Sequence, residues 1–326
     1  MNKLANRLEC VDAGTEYCPC YLAELNECIV CSQLQGKKFC DCNWRGVCIF
    51  QEFVWAGYKA KATRSTVFSK VVKREEINDE VIVLTLKVPN KMARDLNEPG
   101  SFVFIRGYLS PSFFDTPISV MWADEVEGII KIAVQVTGPK TKLIANAKEG
   151  QEVYIRGPYW NGMFGHRYIK GTYNSKALVV LRGIAQAPGV IVILKLIQNK
   201  NKVIVLLDKG KVKANFIKDY LEKLDIAFVE IDLLTEEGQR ILKEFIKDKE
   251  ITVVYSGGSD EQHLNILEYL DTYNSEAYLA VSNNNKICCG EGICGSCEIE
   301  IEGQKMRTCK VQVDIRKALE RKMLRG

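Results

Sequence analysis

Thirteen cysteines in a chain of 326 residues fall into two groups, with none between them. Eight lie from Cys10 to Cys48 and five from Cys288 to Cys309. The first ten residues, MNKLANRLEC, lack the apolar core of a signal peptide, which predicts a cytoplasmic protein. Disulfides are rare in that reducing compartment, so local groups of thiols point to metal. The two histidines, His166 and His263, lie in neither group. The donors must then be mostly sulfur, which favours iron–sulfur clusters or zinc.

The C-terminal group is the more specific. Cys289, Cys294, Cys297 and Cys309 are spaced C-x4-C-x2-C, then eleven residues, then C. This is the plant-type spacing of a [2Fe–2S] cluster. A short loop must curl to bring three thiolates together, and Gly290, Gly292 and Gly295 permit the backbone angles that this requires. The alternating run EIEIEG reads as a strand that turns at Gly303 and returns Cys309 as the fourth ligand. A zinc ribbon would pair one C-x2-C with a second, which is missing here. Cys288 is surplus and reads as a buried thiol, the alternative being that it replaces Cys289 as ligand. A cluster of this kind moves single electrons, so the rest of the chain should hold its donor or acceptor.

The middle of the chain changes period once. From 60 to 168, Val81–Pro89, Gly100–Tyr108, Thr116–Asp124, Gly128–Gly138 and Gln151–Tyr159 read as strands with short polar connections, a pattern that predicts a small antiparallel barrel. One helix is expected just after Gly138. From 175 to 280, strands alternate with helices, which predicts a doubly wound parallel α/β domain. The expected fold class is thus α+β multidomain. A Cys-rich metal module occupies 1–55, the cluster loop 281–312 and a basic tail 313–326.

Net charge is +4 and no long Lys/Arg run occurs, which argues against nucleic acid. The longest apolar stretch, Ala177–Ile197, is broken by Arg182, Gly183, Pro188, Gly189 and Lys195, so no membrane span is expected.

Barrel, nucleotide domain and cluster loop, in that order, resemble the electron-transfer subunit of class B dihydroorotate dehydrogenase, within the ferredoxin–NADP reductase superfamily. The segment TPISV (Thr116, Pro117, Ile118, Ser119, Val120) resembles the family's flavin-binding R-P-x-S. GPKTKL, with Gly138 and Thr141, resembles its G-x-G-T-x-x-L phosphate turn. RGPYWNGMF, with Gly157 and Asn161, resembles G-P-x-G-N-G-F. GIAQAP (Gly183, Ile184, Ala185, Pro188) is similar to G-I-G-I-A-P under the nicotinamide nucleotide, and YSGGSD, with Ser256 and Gly257, stands in the place of C-G-P. SNNNKICCGEGICGSC matches the cluster motif, with Asn284 where Glu is usual.

The resemblance implies FAD in the barrel, NAD(P)H on the parallel domain and electrons passing between FAD and the cluster. Nicotinamide gives two electrons as hydride and a cluster takes one at a time; flavin can do both, so it stands between them. No acid–base pair is required. Asp115 and Thr116 stand where the family usually has an arginine for the FAD pyrophosphate, a charge that Arg106 or Arg156 would then supply. Asp208, at the end of the second strand, suits a ribose 2′-hydroxyl and hence NADH. Lys209, Lys211 and Lys213 suit a 2′-phosphate, and the balance leans to NADPH.

The family's usual members lack the N-terminal module. It looks too short and polar to bury a core, so metal should staple it. Cys10, Cys18, Cys20, Cys28, Cys31, Cys40, Cys42 and Cys48 could supply four ligands to a [4Fe–4S] cluster or a zinc ion. The cluster is favoured because it would extend an electron path. In the tail, Arg316, Lys317, Arg321, Lys322 and Arg325 could dock an acidic carrier such as ferredoxin. The functional reading is a ferredoxin–NAD(P)+ reductase. The alternative is an electron-transfer subunit feeding a catalytic partner: dihydroorotate dehydrogenase, sulfide dehydrogenase, a glutamate synthase-like enzyme or an electron-bifurcating transhydrogenase. A redox-sensing scaffold without turnover is a third possibility, disfavoured by the nucleotide turn and flavin segment.

Overall fold

The computed structural model describes residues 8–323. The chain divides into two compact units, one of residues 1–65 with 285–313, the other of 66–284 with 314–326. The two cysteine groups, read separately in the sequence, therefore belong to one unit.

In the larger unit six antiparallel strands close a barrel, in the order Thr66–Asn78, Val81–Lys87, Ile129–Gln135, Thr116–Asp124, Phe102–Gly107, Glu152–Tyr159. Five were expected; the strand Thr66–Asn78 was not. Its residues are mostly polar, and only Ser69 and Val71 are fully inside. The barrel interior is apolar, with Val71, Leu84, Leu86, Val103, Ile105, Ile130, Ile132 and Ile155 all buried. The helix expected beyond Gly138 spans Pro139–Ala145.

The chain then forms five parallel strands in the order Ala227–Glu230, Lys202–Asp208, Lys176–Arg182, Ile251–Gly257, Tyr278–Ser282, with Met163–Phe164 antiparallel at the edge. Central strands read as continuous apolar runs because both faces are covered. The helix Gln186–Gln198 packs on the barrel strand Thr116–Asp124. Ile191 of that helix enters the barrel core, and Met121 of that strand enters the sheet core. No helix among the described residues is long and apolar enough to cross a membrane.

The expected tail is a docked helix, Ile315–Met323, against the helix Asp260–Thr272. Ile315, Ala318 and Leu319 are buried, and Arg316 Nη1 pairs with both carboxylate oxygens of Asp271 at 2.5 and 2.7 Å. Part of the expected basic surface is thus neutralised. Arg325 lies outside the described residues.

The smaller unit ties both ends of its chain together. Glu9–Cys10 pairs antiparallel with Val311–Gln312, and Val11 N donates to Lys310 O at 2.9 Å. Glu298–Ile301 and Gln304–Arg307 form a hairpin that turns through Glu302 and Gly303, both at positive φ. The N-terminal segment does bury a small core, contrary to its polar look: Cys18, Ala23, Cys31, Leu34, Ile49 and Phe53 cluster together.

Candidate functional site

The strand Lys176–Arg182 has the second strand on one side and Ile251–Gly257 on the other. The chain order reverses there, and in open parallel sheets such a reversal leaves a ligand crevice beyond the carboxyl ends of the strands. Gly183, at φ +60°, turns the chain through Ile184 and Ala185 into the helix that carries Pro188 in its first turn. The turn leads into the N-terminus of that helix, the kind of place where backbone amides bind anions. Across it lies Gly257, where a Cβ would meet Leu181 Cδ2 at 2.9 Å and Ala185 Cβ at 3.3 Å. A side chain at 257 would have to displace both neighbours.

Ser256 is turned inward. Its Oγ lies 2.8 Å from His263 Nδ1 and 3.1 Å from Gln262 Nε2, and all three side chains are buried. His263 Nε2 lies 3.1 Å from Ser282 Oγ and 3.3 Å from Asn284 Nδ2. Asn284 also donates to Gly258 O and Asp260 Oδ1. The asparagine found in place of the usual glutamate therefore braces this loop. His263 was missed in the sequence, where only the rarity of histidine marks it.

Asp208 serves the fold. It is 3% exposed; Oδ1 accepts from Gly210 N at 2.7 Å, Oδ2 from Leu233 N at 2.9 Å, and Arg182 Nε pairs with Oδ2 at 3.0 Å. The carboxylate is thus engaged by the fold, where the sequence led one to expect it at a ribose. Lys209 and Lys211 are exposed beside it.

In the barrel, Thr116–Ser119 pairs with Phe102–Ile105, with Pro117 exposed and Thr116, Ile118 and Ser119 half-buried. Thr141 Oγ1 accepts from Gly138 N at 3.1 Å and Thr137 N at 2.9 Å, which fixes the turn ahead of the short helix. Gly157 and Asn161 are both buried. Asp115 bridges the two candidate cations. Arg106 Nη1 meets its Oδ1 at 2.5 Å and Arg156 Nη2 its Oδ2 at 3.1 Å. Arg106 also stacks on Tyr154 and Arg156 on Phe104. The triad keeps one net positive charge, oriented by aromatic faces.

In the smaller unit the four C-terminal thiols converge. Cys309 hydrogen-bonds Cys289 and Cys297, and Cys289 also bonds Cys294. Gly290, Gly292 and Gly295 all have φ above +70°, and Glu291 N donates to Cys289 Sγ at 3.3 Å. Thiol and amide hydrogen bonds pull the Cys289 pKa down to about 4 and that of Cys297 down to about 7, while the bonds to Cys289 and Cys297 raise that of Cys309. Cys288 is exposed, not buried as expected.

Among the eight N-terminal cysteines, Cys18 lies within electrostatic reach of Cys20 and Cys28, Cys28 within reach of Cys20 and Cys31, and Cys31 N donates to Cys28 Sγ at 3.4 Å. Burial pushes Cys18 up to about 12 and raises Cys28. Cys40 and Cys42 pair by hydrogen bond nearer the surface, Cys48 is exposed at a helix start, and Cys10 lies beside Asp12 and Lys310. No group of three or more His, Cys, Asp or Glu side chains among the described residues is arranged as ready ligands for a metal ion. The C-terminal sulfurs contact one another instead.

No family model matches the chain. It is 27% identical over 245 residues to the dihydroorotate dehydrogenase B (NAD(+)) electron transfer subunit of Clostridium acetobutylicum, covering 74% of this chain and 91% of the relative. It is 27% identical over 250 residues to the probable counterpart of Methanopyrus kandleri, covering 74% and 87%. Among solved structures it is similar to the NADH-dependent reduced ferredoxin-NADP oxidoreductase of flavin-based electron bifurcation. The TM-score is 0.62 at 18% identity, over 79% of this chain and 93% of the other. A ferredoxin NADP+ reductase from Neisseria gonorrhoeae matches with TM-score 0.50 at 15% identity, over 67% and 98%. The chain is similar in sequence to the electron transfer subunits of dihydroorotate dehydrogenase B and has the fold of the ferredoxin–NADP reductases.

Proposed function

We propose that the chain is a flavin- and nicotinamide-linked oxidoreductase that passes electrons between NAD(P)H and a protein partner, with FAD on the barrel and a [2Fe–2S] cluster on Cys289, Cys294, Cys297 and Cys309. The convergence of those four thiols on a loop of positive-φ glycines carries the reading, because a four-thiolate donor set is what such a cluster takes. The flavin would supply the conversion of a hydride into single electrons. The residues of this chain bind and orient: the turn Gly183–Ala185 and Gly257 for the nucleotide, Thr116–Ser119, Gly138, Thr141, Gly157 and Asn161 for the flavin, Arg106 and Arg156 for its pyrophosphate. Cys18, Cys20, Cys28 and Cys31 are the best-placed set for a second metal, a [4Fe–4S] cluster or zinc. Anaerobic purification with flavin, iron, zinc and sulfide analysis tests the whole reading. A chain that binds no flavin and no iron after reconstitution would sink it.

With Asp208 engaged by the fold, Lys209 and Lys211 are left as the polar selectors, which favours NADPH. Replacing both with Ala should raise KM for NADPH roughly tenfold or more and leave KM for NADH nearly unchanged, since a hydrogen bond to a charged group contributes about 1.5–3 kcal/mol. Equal effects on both nucleotides would mean that the lysines are only solvated.

The curated relatives are subunits by name, which favours a catalytic subunit as the partner over free ferredoxin. The two separate by salt. A carrier steered by charge should exchange electrons at a rate that falls steeply above about 0.1 M, where the screening length is near 10 Å. Reduction of an uncharged dye should barely respond. A single chain that exchanges electrons with ferredoxin at no salt concentration, and that elutes with a larger flavoprotein, is the subunit. Removal of the last helix is a poor probe, because it would uncover Ile315, Ala318 and Leu319.

A further inference from the structure

Four charged side chains knit the N-terminal segment to the C-terminal thiol loop. Asp12 lies two residues after Cys10, Glu291 two after Cys289, and Lys310 next to Cys309; Arg64 comes from the end of the N-terminal segment. Arg64 Nη2 donates to Asp12 Oδ1 at 2.7 Å, and Nη1 donates to Asp12 Oδ2 at 3.2 Å and Glu291 Oε2 at 3.3 Å. Lys310 Nζ donates to Asp12 Oδ2, and to Glu291 Oε2 at 3.2 Å. The side chains are 0% exposed at Lys310, 1% at Arg64, 3% at Asp12 and 16% at Glu291. Arg64 also lies over the Tyr17 ring at 4.0 Å.

Two cations and two carboxylates sum to zero charge. Such a group is not needed for stability alone, since well-packed apolar residues often replace a buried ionic network without loss. Its position suggests another use. A cluster gains one negative charge on reduction. A buried cation at a ligand's neighbour favours the reduced form, a buried carboxylate opposes it, and the low-dielectric surroundings screen neither well.

We propose that Lys310 and Arg64, balanced by Asp12 and Glu291, are positioning residues that set the reduction potential of the C-terminal cluster. The N-terminal segment takes part by supplying Asp12 and Arg64. The head of the chain is then an electrostatic component of the cluster's housing, whatever metal its own cysteines hold. This inference rests on the [2Fe–2S] reading above.

The test is a redox titration of the anaerobically purified full chain, followed by electron paramagnetic resonance, with iron and sulfide counted in every variant. Lys310→Met should disfavour reduction about tenfold, a fall of about 59 mV for one electron. Asp12→Asn should move the midpoint upward by a similar amount. Asp12→Asn/Lys310→Met, with charge restored to balance, should return close to the parent value. A purely structural role would not reverse sign between the two single variants. If Lys310→Met does not hold iron, Glu291→Gln joins Asp12→Asn, and both must shift upward. Iron retained with unmoved midpoints, or with shifts of one sign for cation and carboxylate variants alike, overturns the inference and leaves the cluster reading intact. A parent protein that takes up no iron and sulfide fails at the earlier step, and both readings fall.

Discussion

Cys297→Ser is expected to abolish the [2Fe–2S] absorption while NAD(P)H still bleaches the flavin. Cys297 is buried and hydrogen-bonded to Cys309, so a serine there offers the cluster a harder and shorter donor in a space shaped for sulfur. Changes outside the ligand shell already cost about 10–100-fold in metal affinity, so loss of a ligand should cost on the order of 100-fold or more. Electron delivery to any protein acceptor should fall with it. The nucleotide crevice and the barrel lie in the other unit of the fold, which separates the two readouts. Iron analysis and stopped-flow mixing with NADPH measure both in one preparation. An intact cluster signal in Cys297→Ser would refute the ligand assignment.

The largest loss of stability should follow Arg64→Leu. The guanidinium bonds both oxygens of Asp12 and reaches Glu291 from a fully buried position, so its removal leaves two carboxylates sharing one lysine. Breaking a buried ion pair by deleting one partner costs about 3–5 kcal/mol. That is a large part of the stability of a small unit. Limited proteolysis should cut the 1–65 and 285–313 segments of the variant while the barrel and parallel sheet survive. The acid response gives an independent sign. Burial would raise the pKa of Asp12, but Lys310 and Arg64 outweigh it and hold it below its ordinary 3.8. The group therefore contributes stability above about pH 3.8, and that contribution is lost as pH falls through the lower folded value. The parent unit should loosen in that acid window, and Arg64→Leu should show a shallower dependence there. Equal resistance of the two proteins at pH 7 would sink the expectation.

Some of this fold is legible in the chain and some is not, for physical reasons. Five barrel strands show as turn-bounded apolar runs because both ends and one face are marked. Thr66–Asn78 does not, because most of its side chains lie outside the barrel and follow solvent, not core. The helix Asn90–Leu96 hides for a like reason, with only Met92, Ala93 and Leu96 turned in. The convergence of the C-terminal thiols could be read because they are close in sequence and glycine reports backbone sign. The role of Asp208 could not, since an acid at a strand end does not say whether its carboxylate points to a ligand or to an amide 25 residues on. The ionic network was invisible because Arg64 meets partners 52 and 227 residues away.

The composition of the smaller unit from both halves of the chain has a consequence for its synthesis. Residues 1–65 leave the ribosome before their complement, which begins only at 285, 220 residues later by subtraction. At about 5–20 residues per second, that interval is roughly 10–45 s. Through it the eight early thiols and Asp12 wait without Lys310 and without the strand Val311–Gln312 that pairs with Glu9–Cys10. Residues 66–284 of the other unit are made in the meantime. Convergence of the four C-terminal thiols comes late in synthesis, and a nascent chain cut anywhere before 309 lacks Cys309 as well as Lys310. The four-thiol group is therefore complete only once the second segment of its unit has been made.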